Sequence, residues 1–289
     1  IGVARAQLQC IGGVDSDPHA VKDFTRLTGT KGTCLDLFDR YDYERFHGEP
    51  APLFWKETTP EDIRKAAGNQ CPDILALSPP CKGFSGLLNN KYASSGKYDA
   101  LNSLTIRGLL LAMAAFQDDP PALVLFENVP RIQTRGRPFL DFIDATLRSY
   151  GYSVAHTVHD CGKLGGLGQT RTRFLLVARH TKKIAPFLYE PPMRRLKSIG
   201  EILKDEPLPG TGSPMHVVPR LTRKTWIRLA MIEAGKDWRS LRDLKVNEKG
   251  FVENYRLSNY EIPDPRSSRP LGSYQPYGVA PLDRPSHAV

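Results

Sequence analysis

The chain has 289 residues, with 40 Lys and Arg against 31 Asp and Glu, a formal charge of +9. At 40% hydrophobic and 25% charged it is too apolar for a disordered chain, and it is long enough for one large domain or two smaller ones. The longest apolar stretch (108–116) falls far short of the roughly 18 residues of a membrane span, and the first 30 residues are too charged for a signal peptide. Five cysteines at low density point to a reducing compartment and away from a disulfide scaffold.

In chain order, short apolar runs bounded by turn residues predict strands at 11–14, 74–77, 123–126 and 174–178. Helical spacing predicts helices at 60–67, 103–116 and 139–149; in the last, Phe139, Phe142, Ile143, Ala145 and Leu147 make one apolar face. Strands alternating with helices imply an α/β fold with a mostly parallel sheet covered on both faces. In such sheets ligands bind beyond the carboxyl ends of the strands. Asp15 follows the first run, Pro79-Pro80-Cys81 the second, and Glu127-Asn128-Val129-Pro130 the third. Past about residue 181 prolines cluster, the alternation stops, and a helix-like stretch at 223–234 precedes a Pro/Tyr/Arg-rich tail. A domain boundary is therefore expected near 180–190.

Charge follows the same division. Residues 1–180 carry a net +2, whereas residues 181–289 carry +7, in pieces such as MRRLK (193–197) and RLTRKTWIR (220–228). Such an excess is either a solvated face or a surface that neutralises phosphates, and charge alone does not choose between them.

Three segments could carry chemistry. Cys81, in SPPCKGFSG (78–86), is presented by two prolines at a strand end; it reads either as a nucleophile or as a small buried side chain. Glu127 closes an apolar run, so its carboxyl is either desolvated and able to stay protonated or a carboxylate satisfied by backbone N–H groups or an arginine. Arg171 and Arg173, two apart where a strand begins, offer rigid guanidinium forks for a carboxylate or a ring carbonyl, or form an ordinary strand-end pair. His156, His159 and Cys161 have metal-like spacing without a second ligand pair, so no metal is expected. The glycines of CGKLGGLGQ (161–169) lead into a strand, which fits a simple loop better than a dinucleotide turn.

In this order and spacing, PPCKGFS, ENVP and QTRTRFLLVA closely resemble the nucleophile, glutamate and paired-arginine motifs of the cytosine-C5 DNA methyltransferase family, of phage or restriction–modification type. GVDSDPHA (13–20), with Asp15 and Ser16, looks like the segment at the cofactor ribose. CLDLFD (34–39), with Asp36 and Leu37, looks like the segment at the adenine, and Asn102-Ser103-Leu104 like a further cofactor-side position. GVAPLDRPSHAV (278–289) looks like the start of the motif that follows target recognition.

The resemblance implies a Rossmann-like S-adenosylmethionine-dependent catalytic domain over 1–180. A smaller irregular target-recognition domain would span 181–275, and a return segment 276–289. It implies that Cys81 adds to C6 of a flipped cytosine in double-stranded DNA, that Glu127 contacts N3 and the exocyclic amine, that Arg173 holds the base carbonyl, and that Arg171 positions Glu127. Asp15, Ser16, Asp36, Leu37, the backbone at Pro80, and Leu104 would contact S-adenosylmethionine. Lys82 and Ser85, in a polar segment at 82–98, would contact DNA. A related branch of the family acts on transfer RNA, and a further alternative is a DNA-binding remnant without activity, against which intact Cys81, Glu127, Arg171 and Arg173 count. No histidine lies in PPCKGFS, ENVP or QTRTRFLLVA to serve an unrelated cysteine hydrolase as base.

The chain departs from the family's pattern in places. Lys82 stands where glutamine is usual, and Ser16 where a bulky apolar side chain often flanks the adenine. The family opens with a strand and a Gly-rich turn, and this chain begins at Ile1, past both, which reads as an internal fragment. In the family's fold that strand is central, so unpaired backbone on its two neighbours and weak binding of S-adenosylmethionine are expected. The expected setting is a monomer in the cytoplasm of a bacterial or phage-infected cell.

Overall fold

The computed structural model describes residues 7–81, 96–188 and 190–204, with residues 220, 226, 229–232 and 286–287 beyond them. It divides into two compact units: Ile1–His159 with Thr172–Glu190, and Asp160–Arg171 with Pro191–Val289.

The first unit opens with β1 (Gly13–Asp15), α1 (Pro18–Thr28), β2 (Gly32–Cys34), α2 (Arg40–His47) and α3 (Pro60–Ala66). These helices are short and depend on their ends. Asp17 caps α1 by accepting from His19 N–H ahead of Pro18, and Gly29 closes it in the left-handed region at φ 71°. Thr59 and Asp62 form a reciprocal capping box at the start of α3. β1 and β2 pair in parallel, Asp15 opposite Cys34, and α1 makes the crossover that such pairing requires.

The second part of this unit holds β3 (Ile74–Leu77), α4 (Gly96–Ala115), β4 (Leu123–Asn128), α5 (Ile132–Arg135), α6 (Arg137–Ser149), β5 (Tyr152–Asp160) and β7 (Thr172–His180). Four strands form one sheet in the order β3-β4-β7-β5. β3 runs parallel to β4, and β7 antiparallel to it. Val124, Phe126 and Asn128 on β4, and Phe174, Leu176 and Ala178 on β7, are buried at every second position. They pack with Leu109 and Met113 of α4 and with Leu140, Ile143 and Leu147 of α6 into the main core. No ladder joins the β1–β2 pair to this sheet among the described residues. The predicted helix at 103–116 is longer, starting at Gly96, because its first turns pack on a separate aromatic cluster around Phe38.

The second unit holds α7 (Cys161–Gly165), β6 (Gln169–Thr170), α8 (Ile199–Leu203) and β8 (Ser286–His287), with β6 and β8 parallel. The glycine segment at 161–169 thus holds one short helix and a strand start. Of the helix-like stretch at 223–234, residues 226 and 229–232 are described and are helical as far as 231, while the rest of it and most of the Pro-rich region lie outside the described residues.

Candidate active site

Strand direction builds the site. Parallel pairing sets Leu77 opposite Phe126, so the next residues, Ser78 and Glu127, sit side by side at the carboxyl ends of β3 and β4. Antiparallel pairing sets Phe174 opposite Asn128, which brings the amino end of β7, and with it Arg173, to the same place. Glu127 consequently has two partners. Arg173 Nε lies 2.9 Å from its Oε1, and Ser78 Oγ donates to its Oε2 at 2.7 Å. The guanidinium is 21% exposed and the carboxylate 41%, so the pair stands at the edge of the core with access to solvent. Of the two readings of Glu127, a carboxylate satisfied by an arginine is the one observed.

Three residues beyond Ser78, Cys81 is half-buried, and like the other four cysteines it is in no disulfide. Pro80 beside it is also half-buried. Lys82 and Ser85 lie outside the described residues. Arg171 belongs to the second unit, where its backbone N–H donates to Asp160 Oδ1 at 2.9 Å and its side chain is exposed. The structure therefore brings Glu127 and Arg173 together directly, with Ser78 as a partner that sequence reasoning missed. The only signal for Ser78 was strand register: a serine at the first position past one strand, level with an acid past the next.

A second set of residues gathers at the ends of β1 and β2. Asp15 ends β1, Asp36 lies two residues past the end of the adjacent β2, and the Asp15 carbonyl accepts from Leu35 N–H at 3.0 Å. Asp15 Oδ1 also accepts from Asp17 N–H at 2.8 Å, while Ser16 is exposed and its carbonyl accepts from the Cys34 thiol at 3.4 Å. The Asp36 carboxylate is held from both sides, by Phe38 N–H at 3.0 Å and by Trp55 Nε1 at 3.3 Å. Trp55 and Leu104 pack on the same cluster of Phe38, Ala100 and Leu101. Arg107 of α4 anchors this segment, donating from Nε to the Leu37 carbonyl at 2.8 Å and pairing through Nη2 with Glu57 at 3.1 Å.

Three buried side-chain atoms near these positions have no hydrogen-bond partner among the described residues: Asn102 Oδ1 and Thr105 Oγ1, one turn apart on α4 and flanking Leu104, and Asn128 Nδ2 beside Glu127. Buried polar atoms are seldom left unpaired, so a polar ligand or an ordered water is the expected partner for them. Two acids on adjacent strand ends, an apolar cluster and unsatisfied amides suit a nucleoside-like cofactor with ribose hydroxyls and a ring amine. Among the described residues no group of three His, Cys, Asp or Glu side chains is placed to hold a metal, and His156 instead contacts Asp144 at 2.8 Å. No described helix is long and apolar enough to cross a membrane.

A family model for C-5 cytosine-specific DNA methylase matches residues 53–273, most of the chain. The chain belongs to the C-5 cytosine-specific DNA methylase family, and its alternation of strands and helices is the Rossmann-like α/β fold of S-adenosylmethionine-dependent methyltransferases. Among curated proteins, DNA (cytosine-5)-methyltransferase 2 of Arabidopsis thaliana is 31% identical over 122 residues, 41% of this chain and 8% of that protein. DNA (cytosine-5)-methyltransferase CMT2 of Oryza sativa subsp. japonica is 32% identical over 123 residues, 40% of this chain and 8% of that protein. The match thus spans less than a tenth of these relatives' length. Among solved structures, S. pombe Dnmt2 methyltransferase aligns at a TM-score of 0.40 and 17% identity, over 86% of this chain and 59% of that one. A putative DNA modification methyltransferase encoded within a prophage of E. coli aligns at 0.42 and 17% identity, over 78% and 56%.

Proposed function

We propose that this protein is a DNA (cytosine-5)-methyltransferase that uses Cys81 as a covalent nucleophile on a cytosine flipped out of duplex DNA. The observation that carries this reading is the Ser78–Glu127–Arg173 constellation, formed at the strand ends that also present Cys81. Cys81 Sγ, as thiolate, forms a bond to C6 of the base. Electron density then moves to C5, and Glu127 contacts N3 and the exocyclic amine where charge develops. Arg173 holds the base carbonyl while keeping Glu127 in place, and Arg171 supports this group. S-adenosylmethionine, when bound, supplies the methyl group that C5 accepts. Water then takes the C5 proton, the electron pair left behind re-forms the C5–C6 double bond, and the C6–sulfur bond breaks to return Cys81 as thiolate.

Asp15 and Ser16 serve the ribose side and Asp36, Leu37 and Leu104 the adenine side, with the backbone at Pro80 between base and cofactor. Lys82 and Ser85 contact the DNA backbone. Residues 1–180 carry catalysis, 181–275 read the target, and 276–289 return toward the catalytic part. The basic surplus of the last third supports duplex DNA, since a target-reading region needs phosphate and groove contacts.

The test is a mechanism-based trap. Duplex DNA containing 5-fluorocytosine should form an adduct stable to denaturation in the presence of S-adenosylmethionine, and Cys81→Ser should abolish it. Transfer of a labelled methyl group to transfer RNA but not to duplex DNA would overturn the choice of substrate.

A further inference from the structure

The basic sequence MRRLK and the glycine-rich loop lie about 30 residues apart, yet the second unit folds them into one surface. The Arg194 N–H donates to the Lys163 carbonyl at 2.7 Å, and the Lys197 N–H to the Leu167 carbonyl at 3.0 Å, so the segment at 194–197 straps the turn between α7 and β6. Glycines permit this approach. A Cβ at Gly162 would lie 1.9 Å from the Gln169 carbonyl oxygen and 2.9 Å from Leu196. Gly166, left-handed at φ 62°, lies under the Arg194 stem, 3.4 Å from where its own Cβ would be. Leu196 points inward, while Lys163, Arg194 and Lys197 are exposed.

Charge accounting shows what this surface lacks. Residues 160–171 and 191–204 contain six basic and two acidic side chains. Both acids are already engaged. Glu201 is held by Arg195 and by Ser198 N–H, which draw its carboxyl down to about 2. Asp160 accepts from the N–H groups of Gly162 and Arg171, and its remaining neighbour charge is Lys163. Arg194 and Lys197 have no acidic partner among the described residues. Beside them Leu167 and Met193 are 47% and 62% exposed. Uncompensated cations interleaved with apolar tips, on a loop whose backbone is fixed, fit a polyanion that also presents sugars.

We infer that Lys163, Arg194 and Lys197 form one phosphate-binding ridge that grips the backbone of duplex DNA. This rests on the duplex-DNA reading above and goes beyond it by naming where the second unit holds the strand. The ridge contacts phosphates only, so it adds affinity without sequence preference.

The experiment measures binding of a fluorescent 30-base-pair duplex to the full chain across a salt series. Arg194→Gln with Lys197→Gln should weaken binding about 10-fold near 0.1 M salt and lower the slope of log affinity against log salt by about 2. Lys22→Gln with Lys31→Gln removes the same charge from exposed positions in the first unit and should leave the slope unchanged. An equal loss in both pairs would show net charge alone and overturn the ridge, as would no loss in the first pair while the unaltered chain still binds duplex. If the unaltered chain binds transfer RNA but no duplex, the substrate reading falls with it. A measurement without substitution guards against misfolding: bound duplex should protect Lys163 and Lys197 from acetylation, and undiminished reactivity there would refute the ridge.

Discussion

β4 and β7 bury every second side chain, from Val124 to Asn128 and from Phe174 to Ala178, whereas β1, α1 and β2 contain no buried residue at all. The proposed catalytic groups stand on the first foundation and the proposed ribose and adenine acids on the second. Glu127 and Arg173 inherit their positions from a sheet that cannot shift without disturbing the main core. Asp15 and Asp36 inherit theirs from a three-residue ladder, helix caps and the Arg107 anchor. The contrast teaches that precision is concentrated where covalent chemistry is expected, and that the cofactor side is the part able to open locally at low cost.

Substitutions can break or sharpen this contrast. The largest effect belongs to Cys81→Ala, which should reduce methyl transfer by at least about 10⁴-fold while leaving the melting temperature unchanged. Phe174→Ala removes a ring with no exposed surface and should cost about 3–5 kcal/mol in urea unfolding, enough to threaten the fold. Glu127→Gln keeps the shape but loses the charge paired with Arg173, and should slow turnover by about 10²-fold in single-turnover assays with little loss of stability.

Smaller effects follow. The Tyr152 hydroxyl donates to the buried Pro121 carbonyl at 2.6 Å, and burial pushes its ionisation from 10.0 up to about 12. Stability from this group is therefore intact below pH 10 and lost as the pH rises toward 12. Tyr152→Phe should cost about 1 kcal/mol and remove that part of the alkaline sensitivity, as read by unfolding at several pH values. Val14→Ala, on the exposed ladder, should cost less than about 0.5 kcal/mol. A loss as large as that of Phe174→Ala would show that both regions share one core.

Much of this was legible in the sequence, for identifiable reasons. The run at 74–77 matches β3 residue for residue because Asp73 and Pro79 bracket a continuous apolar stretch. β5 was missed because its histidines, threonine and aspartate break the apolar pattern, although it lies in the main sheet. α2, RYDYERFH, is too polar to stand out, and it is held by packing of Tyr43 and Phe46 on the Phe38 cluster. Glu127 and Arg173 were found by resemblance, but not the reason they meet. That reason is the antiparallel direction of β7, which no local composition encodes. Ser78 went unnoticed because a lone serine carries no signal until neighbouring strands are set in register.

The occupied state of Glu127 bears on timing. With a guanidinium on one oxygen and a hydroxyl on the other, the resting carboxylate already has a partner on each side. Under the proposed reaction, a base that uses this carboxyl competes with Ser78, whose hydroxyl can rotate away while the Arg173 fork stays fixed. On the proposed reading Ser78 is a latch on the acid: it holds the side chain aimed until a competing group displaces the hydroxyl.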